Sequence, residues 1–495
     1  MRIRTVKTKS GSFAIQVVSK RHGKLTVHKH IGSYKTEREK TRLIFEGNLF
    51  IRDHDNIQQN LWEHEESLRP TDVKITHSQP RFLYRLLSGI YDQLGLDCLG
   101  DELLKDLILA RIYQPVSKRE TVDILADAFG KQYSLKTVYR HLKNAIDQGL
   151  KEKFQTALIT FAQEQLHDSL RLVFYDVTTL AFDSQAKKGL KDFGFSKDHR
   201  FHDVQIVVGL VVNHQGFPLY FDVFNGKTFE GKTFVSVVEN IRTLLKNPDL
   251  IVIADAAMIS RINVEELDKR GIGFIVGARL RNLPAELQDQ ISKEILGHDL
   301  KTTVVSYLNH RLICQYQSNR AGKDRSDREK QIERANKVIA SPSQMHGRFR
   351  FVESIHGKYS LNNNLIEKAQ KLEGVKGYLT NTKLDEKTVI DRYHDLWRVE
   401  KSFRITKSDL QARPVFLQLD KTITCHLIVV FAGLAISRFL EIKTDMSIHQ
   451  IVKVAQKVLT HKVTILQTGE TGFVETTVED PEICGQLEKL RVLEH

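Results

Sequence analysis

Between Leu170 and Arg279 the chain sets short apolar runs against longer amphipathic stretches, and this order restricts the fold more than any other feature of the sequence. LRLVFYD, VQIVVGLVV and FPLYFDVF are three strand-like runs, the last two joined by the turn-forming NHQG. A helical stretch from Gly231 to Lys246 follows. LIVIAD then reads as a short buried strand, a helix is expected around Asn263 to Arg270, and FIVGAR is another strand. Three antiparallel strands followed by helix, strand, helix and strand form the order of one mixed α/β sheet.

Ligands in α/β sheets gather at strand C-termini, so acids that close apolar runs are the first candidates. Asp176 ends LRLVFYD and Asp255 ends LIVIAD. In a ribonuclease H-like order these are the first and fourth strands, which lie side by side. Either Asp alone is explained as a cap or turn residue after a strand. As a pair they repel each other unless a divalent cation sits between them. Asp183, Asp192, Asp198 and Asp203 also lie near Asp176, but none follows an apolar strand run.

A third acid is sought on the helix EKTVIDRYHDLWRVEKSFRITKSDL. At about 100° per residue, Tyr393, Glu400 and Lys407 fall within roughly 40° of one another, with Arg404 close to the same face. A tyrosine, an acid and two bases in one stripe are odd for a helix that packs on a sheet; a solvated face is the plainer alternative. Trp397 is expected in the core, with stacking on an unpaired base as its alternative.

The 495 residues set a soft expectation of roughly three domains. Lys and Arg number 74 against 61 Asp and Glu, a net charge of +13, which favours a polyanionic partner, nucleic acid above a membrane surface. Cys98, Cys314, Cys425 and Cys484 are too scattered for a zinc pair or a disulfide framework, and free thiols in a reducing cytoplasm are expected. The N-terminus has charge but no apolar run behind it, so no signal peptide is expected. The longest apolar stretch, Leu427 to Ile436, is short of the roughly 20 residues of a membrane span. His28 and His30 stand two apart without further ligands, and no P-loop or HExxH is written.

Residues 1–80 read as a small β-meander to about Tyr34, a charged helix to about Glu66, and a linker through RPTDVKITHSQP. The meander turns Arg2, Arg4, Lys7, Lys9, Lys20, Arg21, Lys24 and Lys29 outward, as either a phosphate-binding or a solvated face. Residues 81–168 are helical. Within them SKRETVDILADAFGKQYSLKTVYRHL has the order of a helix-turn-helix, with Ser134 as N-cap and Lys136, Arg140 and Lys143 pointing outward; plain bundle packing is the alternative. Residues 169–281 and 386–440 form the α/β core, 282–385 a β-rich insertion with a charged helix, and 441–495 a C-terminal extension with one helix and a possible hairpin, KVTILQTGETGFVETTV.

With these residues in view, YHDLWRVEKSFRITK matches, at Tyr393, Glu400 and Lys407, the Y-(2)-R-(3)-E-(6)-K signature of DDE transposases of the insertion-sequence-four group. FYDVTTL and IADAAMISRINVEEL resemble the first and second Asp blocks of its long, β-inserted relatives. RAGKDRSDREKQIERA resembles their charged insertion helix, and LQARPVFLQLDKTITCHLIVVFAGLAISRFLE their segment after the Glu. The resemblance runs from about Arg2 to Glu441. Its one departure is Leu396, which stands where the signature has Arg; Arg398 and Arg404 are the nearby candidates to replace it.

The resemblance implies a ribonuclease H-like core with a β-rich insertion, and cut-and-paste movement of an insertion sequence by cleavage at transposon ends and strand transfer. It implies Asp176, Asp255 and Glu400 as ligands of two Mg2+ ions, with Mn2+ as substitute, Asp176 bridging both. It further implies Tyr393, Arg404 and Lys407 on DNA phosphates, double-stranded DNA of the terminal repeats and target as partner, and a homodimer in a prokaryotic nucleoid. The alternatives are a metal-dependent DNA nuclease without strand transfer and an inactive DNA-binding repressor. The intact triad argues against the repressor, and Leu396 keeps it open.

Overall fold

The structure, a computed structural model, describes residues 2–8, 12–21, 24–55, 73–144, 149–183, 186–196, 202–258, 260–341, 349–355, 358–412, 417, 419–466 and 468–494. Lys9, Asp198 and the expected helical residues 56–66 lie outside them, as does the side chain of Arg21. The chain divides into two compact units, Met1–Lys74 with Thr464–Thr471, and Ile75–Val463 with Gly472–His495.

In the first unit β1 (Arg2–Lys7), β2 (Phe13–Arg21) and β3 (Lys24–Tyr34) form an antiparallel meander, followed by α1 (Glu37–Asp55). Alternation puts Ile15 inward against Tyr34 and Leu43, with Ile3, Ile31 and Ile44 around them. On these strands Arg2, Arg4, Lys7, Lys20, Lys24 and Lys29 are exposed.

The expected linker contains a strand, β4 (Val73–Gln79). Its residues bond far along the chain: the Thr76 hydroxyl donates to the Lys462 carbonyl at 3.2 Å, and Ser78 Oγ lies 2.8 Å from His461 Nδ1. A strand whose partner is nearly 400 residues away leaves only its own short alternation in the sequence.

Five helices follow: α2 (Arg81–Gln93), α3 (Glu102–Tyr113), α4 (Lys118–Asp127), α5 (Leu135–Asn144) and α6 (Leu150–Glu164). Ser117 and Glu120 form a capping box at the start of α4, and the Thr137 amide donates to Ser134 Oγ at 3.1 Å, so Ser134 does cap α5. The connection, residues 128–134 with Gly130 at φ 68°, is longer than the usual turn of about three or four residues.

The α/β region contains β5 (Leu172–Ala181), β6 (Gln205–Val212), β7 (Pro218–Asn225), α7 (Glu230–Leu245), β8 (Ile251–Ala254), α8 (Arg261–Lys269) and β9 (Gly273–Ala278). Next come α9 (Ala285–Ile295), β10 (Thr302–Tyr307), β11 (His310–Tyr316), α10 (Ser318–Ala340), β12 (Val352–Ile355), β13 (Lys358–Leu361), α11 (Asn363–Gln370) and β14 (Val375–Thr380). Eight strands form one mixed sheet in the order β10-β11-β14-β9-β8-β5-β6-β7. The pairs β5–β8 and β8–β9 are parallel, and the other neighbours are antiparallel. The run β7-β6-β5-β8-β9 is compatible with the ribonuclease H-type order expected from the sequence. Within residues 282–385, β10, β11 and β14 extend the central sheet beyond β9, while β12 and β13 pair with each other.

The chain then returns over the sheet as α12 (Glu386–His394) and α13 (Trp397–Ser408), and continues into α14 (Asp420–Thr444), α15 (Ile448–Ala455), the hairpin strands β15 (Thr460–Ile465) and β16 (Thr471–Glu475), and a last helix the sequence reading lacked, α16 (Pro481–Arg491). By length and composition α14 reaches what a membrane span needs, but 94% of its apolar window is buried inside the fold. It is apolar all round because protein surrounds it: Phe431 stacks on Phe221 at 4.6 Å and Phe439 meets Phe161 edge-on at 5.3 Å.

Near its start α14 also buries His426, whose Nδ1 lies 3.1 Å from the Lys118 ammonium, with the buried Arg111 beside them. Burial, then Lys118 and Arg111, hold the imidazole well below its ordinary range, while burial pulls Arg111 down to about 10 and pushes the neighbouring Cys425 thiol up to about 12. A depressed histidine stays neutral in the fold and takes up its proton only on unfolding, so its stabilisation is present above the unfolded value and lost as pH falls below it. Below about pH 6.5 this single group should cost up to about 1.4 kcal/mol per pH unit. Thermal melts between pH 7.5 and 5.5 should show this loss, and His426→Gln should flatten it; an equally steep fall in the variant would exclude His426 as the source.

Candidate active site

The two aspartates are brought together by strand pairing. β5 and β8 run parallel in the register Leu172↔Ile251 to Tyr175↔Ala254, so Asp176 and Asp255 occupy the next position on neighbouring strands, whose spacing is about 4.8 Å. Asp176 does not end its strand as expected. β5 continues to Ala181, paired with β6, while β8 stops at Ala254 and turns into a short 3-10 segment. Asp176 is thus mid-strand at the point where the parallel pairing ends. Tyr175 points to α7, its hydroxyl 2.6 Å from Thr233 Oγ1, and alternation sends Asp176 to the opposite face. The Val177 amide donates to Asp176 Oδ1 at 2.7 Å, and the Ala256 amide to Asp255 Oδ1 at 2.6 Å.

Tyr393 closes onto this pair. Its hydroxyl donates to Asp255 Oδ1 at 3.2 Å, and its ring is 6% exposed. Burial, then the Asp255 carboxylate, push this phenol far up from its ordinary value, with a smaller push from Glu400, so it remains a donor. Glu400, exposed on α13, therefore acts on the same tyrosine.

The helix carrying this stripe is not continuous. Asp395 and Leu396 form a turn between α12 and α13, with i+3 bonds from Leu396, Arg398 and Val399 to Tyr393, Asp395 and Leu396. Leu396 is 6% exposed and packs in the core. Trp397, expected in the core, is 50% exposed: Leu396, Val399 and Phe403 take the inward face, and Trp397 stands outside with the Arg398 guanidinium 5.1 Å from its ring. Arg398 is also bound to Asp395 at 3.1 Å.

Arg404 is exposed, and its charge acts on Asp409. Lys407 is half-buried at the end of α13. Lys136, Arg140 and Lys143 are exposed on α5, which packs on α14 and buries Val138 and Leu142. Of the competing acids, Asp192 pairs with Lys187 at 3.1 Å and with Lys227 at 3.6 Å, and Asp183 is exposed beyond the end of β5.

Lys376, at the start of β14, was not singled out by its sequence context. Its ammonium lies 4.7 Å from the centre of the Tyr393 ring and 5.7 Å from that of Tyr378, and the two rings meet edge-on at 5.0 Å. Burial pulls Lys376 below its ordinary value and Arg320 adds to this, while Asp255 and Glu400 oppose it. No sequence signal marked it, because its position depends on β14 joining the sheet beside β9.

Among the described residues, no group of three or more Asp, Glu, His or Cys stands close enough together to hold a metal ion. The donors nearest to that role are hard carboxylate oxygens on adjacent strands, with Glu400 facing the same tyrosine, a set whose chemistry suits Mg2+ or Mn2+.

The profile of the family described as "Transposase DDE domain" matches residues 168–434, more than half of the chain and a span that includes Asp176, Asp255 and Glu400. The chain belongs to the DDE transposases. It is therefore an enzyme of DNA transposition, a polynucleotidyl transferase, in a family that uses divalent metals. No curated protein matches it. Among solved structures it is similar to "piggyBac transposase synaptic complex with hairpin DNA", seen by cryo-EM, at a TM-score of 0.39 and 8% identity over 77% of this chain and 79% of that one.

In this transposase the approach of Tyr393 to Asp255 depends on a missing side chain. A Cβ on Gly277 of β9 would lie 3.0 Å from Tyr393 Cζ and 3.2 Å from the Ala256 amide, closer still to the phenol oxygen. Gly277→Ala should cost about 1–3 kcal/mol in a urea melt by overpacking. Tyr393→Phe in the same chain should recover part of that loss, since it removes the nearest clashing atom. No recovery would mean that the clash is relieved elsewhere.

Proposed function

We propose that the chain is an insertion-sequence transposase of the insertion-sequence-four type, moving its element by cut-and-paste, with Asp176, Asp255 and Glu400 as the acids of a ribonuclease H-like core. The observation that carries this reading is the register of β5 and β8. It leaves two aspartates at neighbouring positions at the end of a buried parallel pair, with the Tyr393 hydroxyl on Asp255 and the charge of Glu400 acting on that tyrosine.

Asp176, Asp255 and Glu400 would hold the divalent cations, Mg2+ with Mn2+ as substitute. Divalent cations there would neutralise the clustered carboxylates and supply Lewis-acid charge for a phosphodiester oxygen. Tyr393 would orient the Asp255 carboxylate by donating its hydroxyl to it, or turn that one donor to a DNA phosphate when the carboxylate holds a cation. Glu400 and Lys407 lie on one helix, so an acid and a base reach the DNA from the same element; Arg404 gives a second exposed cation. Double-stranded DNA, as terminal repeats and target, is the substrate, and two copies of the chain would hold the two ends.

Lys136, Arg140 and Lys143 would meet the DNA backbone or groove from α5. Replacing all three with Ala should weaken binding to the element's ends and shallow the salt dependence of log Kd by about 2 to 3, at about 0.9 per phosphate contact. An unchanged slope in a titration of labelled end DNA would remove α5 from the interface.

The decisive assay is cleavage and joining of labelled DNA carrying the element's own ends, in Mg2+, Mn2+ or chelator. Glu400→Gln and Asp176→Asn should each lower product by about 10³-fold or more while end binding stays within a few-fold. Cleavage without joining would favour a nuclease. Binding with no cleavage in any metal would favour a repressor, a reading that draws on the buried Leu396 in place of the signature Arg.

A further inference from the structure

We propose that Lys376 is a phosphate-binding residue of the active site, supplying from the inserted strand β14 the cation that the signature would place at position 396. This inference rests on the transposase reading of the acid site.

Three observations converge on it. The first is topological. β8 and β9 are parallel and run out at Ala254 and Ala278, and β14 is antiparallel to β9 with Gly377 opposite Ala278. An antiparallel strand enters a sheet at the edge where its neighbour leaves. Lys376, beside Gly377, therefore starts β14 at the edge where the parallel strands finish and the two aspartates stand.

The second is contact. Lys376 and Tyr378 are two apart on one strand face, and Tyr393 packs against both, with the ammonium over its ring at 4.7 Å and its hydroxyl on Asp255 at 3.2 Å. The ammonium is thereby held within electrostatic reach of Asp255 and Glu400. The aromatic faces fix its stem and direction while satisfying none of its three N–H donors, and no hydrogen bond or ion pair of Lys376 is found among the described residues.

The third is the fate of the alternatives. Leu396 is in the core, Arg398 is bound to Asp395 at 3.1 Å, and Arg320, the other cation facing Lys376, is paired with Asp324 at 3.5 Å. Arg404 is exposed and acts on Asp409. The surroundings of Lys376 leave its donors for a ligand, and a DNA phosphate beside the acids is a ligand of matching charge.

The test compares the wild type with Lys376→Ala, Lys376→Arg and Glu400→Gln on duplexes ending in the element's own terminal sequence. One set of duplexes has an ordinary scissile phosphate and the other a neutral methylphosphonate there. Cleavage of ordinary DNA should fall about 10²-fold in Lys376→Ala, the order seen on removing one donor from a charge-stabilising site, and recover to within about three-fold of wild type in Lys376→Arg. In Ca2+, where binding is read by fluorescence anisotropy without turnover, the wild type should bind the neutral duplex several-fold more weakly than the ordinary one. Lys376→Ala should discriminate the two less than the wild type does, by about the share its charge supplies.

Wild-type cleavage by Lys376→Ala overturns the assignment. So does a variant that loses cleavage yet discriminates the neutral duplex as strongly as the wild type, because the lysine then only balances the acids. A Lys376→Ala chain that melts well below wild type without rescue by Lys376→Arg would make it a packing residue. A wild type that cleaves nothing, indistinguishable from Glu400→Gln, overturns the transposase reading itself, and this assignment with it.

Discussion

Four residue pairs on two strands set the geometry of everything that follows. The parallel register of Leu172–Tyr175 with Ile251–Ala254 is built from side chains that the sheet can bury on both faces, and it ends at one sharp boundary. Beyond it β5 keeps its antiparallel partner β6, but β8 leaves the sheet. The departing chain is held by Asn263, whose amide donates to the Met258 and Gly231 carbonyls at 2.8 and 2.7 Å. Asp255 thus projects from a fixed turn and Asp176 from an uninterrupted strand. Neither depends on a loop for its position.

Such an arrangement gathers negative charge that the fold must tolerate before any ligand arrives. It does so with aromatic packing and displaced cations. The Tyr378–Tyr393 pair gives Asp255 a hydrogen-bond donor and gives Lys376 a surface to lie on, so the positive charge is near the acids but not locked to them. A direct Lys–Asp bridge would satisfy both groups and leave neither free for a phosphate. Gly277 is what permits the stack to come so close to the sheet.

The strand order from β5 to β9, the neighbouring positions of Asp176 and Asp255, and the Ser134 cap were legible in the sequence because each follows from local periodicity or from apolar runs. What was not legible depended on distant pairing or on which face a kinked helix buries. β4 reads as linker because its partners lie near His461. The 282–385 segment reads as an insertion because nothing local says that β14 will join β9. A continuous 100° helix also misplaces Trp397. The turn at Asp395–Leu396 tightens the backbone, gives the inward face to Leu396 and Val399, and leaves the indole outside.

That same turn explains why Leu396 need not signal a lost function. Position 396 sits in the core, and an arginine there would have to bury its guanidinium or re-aim the turn, at a desolvation cost of about several kcal/mol unless paired. A leucine instead strengthens the joint that orients Glu400 relative to Tyr393. The charge then has to come from an element whose approach to the acids is fixed independently of that joint. β14 is such an element, because its distance from Asp255 is set by two strand registers, Ala254↔Val276 and Gly377↔Ala278, rather than by the angle between two helices. Moving the cation from a helix turn to a strand exchanges adjustable placement for rigid placement, and rigid placement is what stabilising charge in a transition state requires.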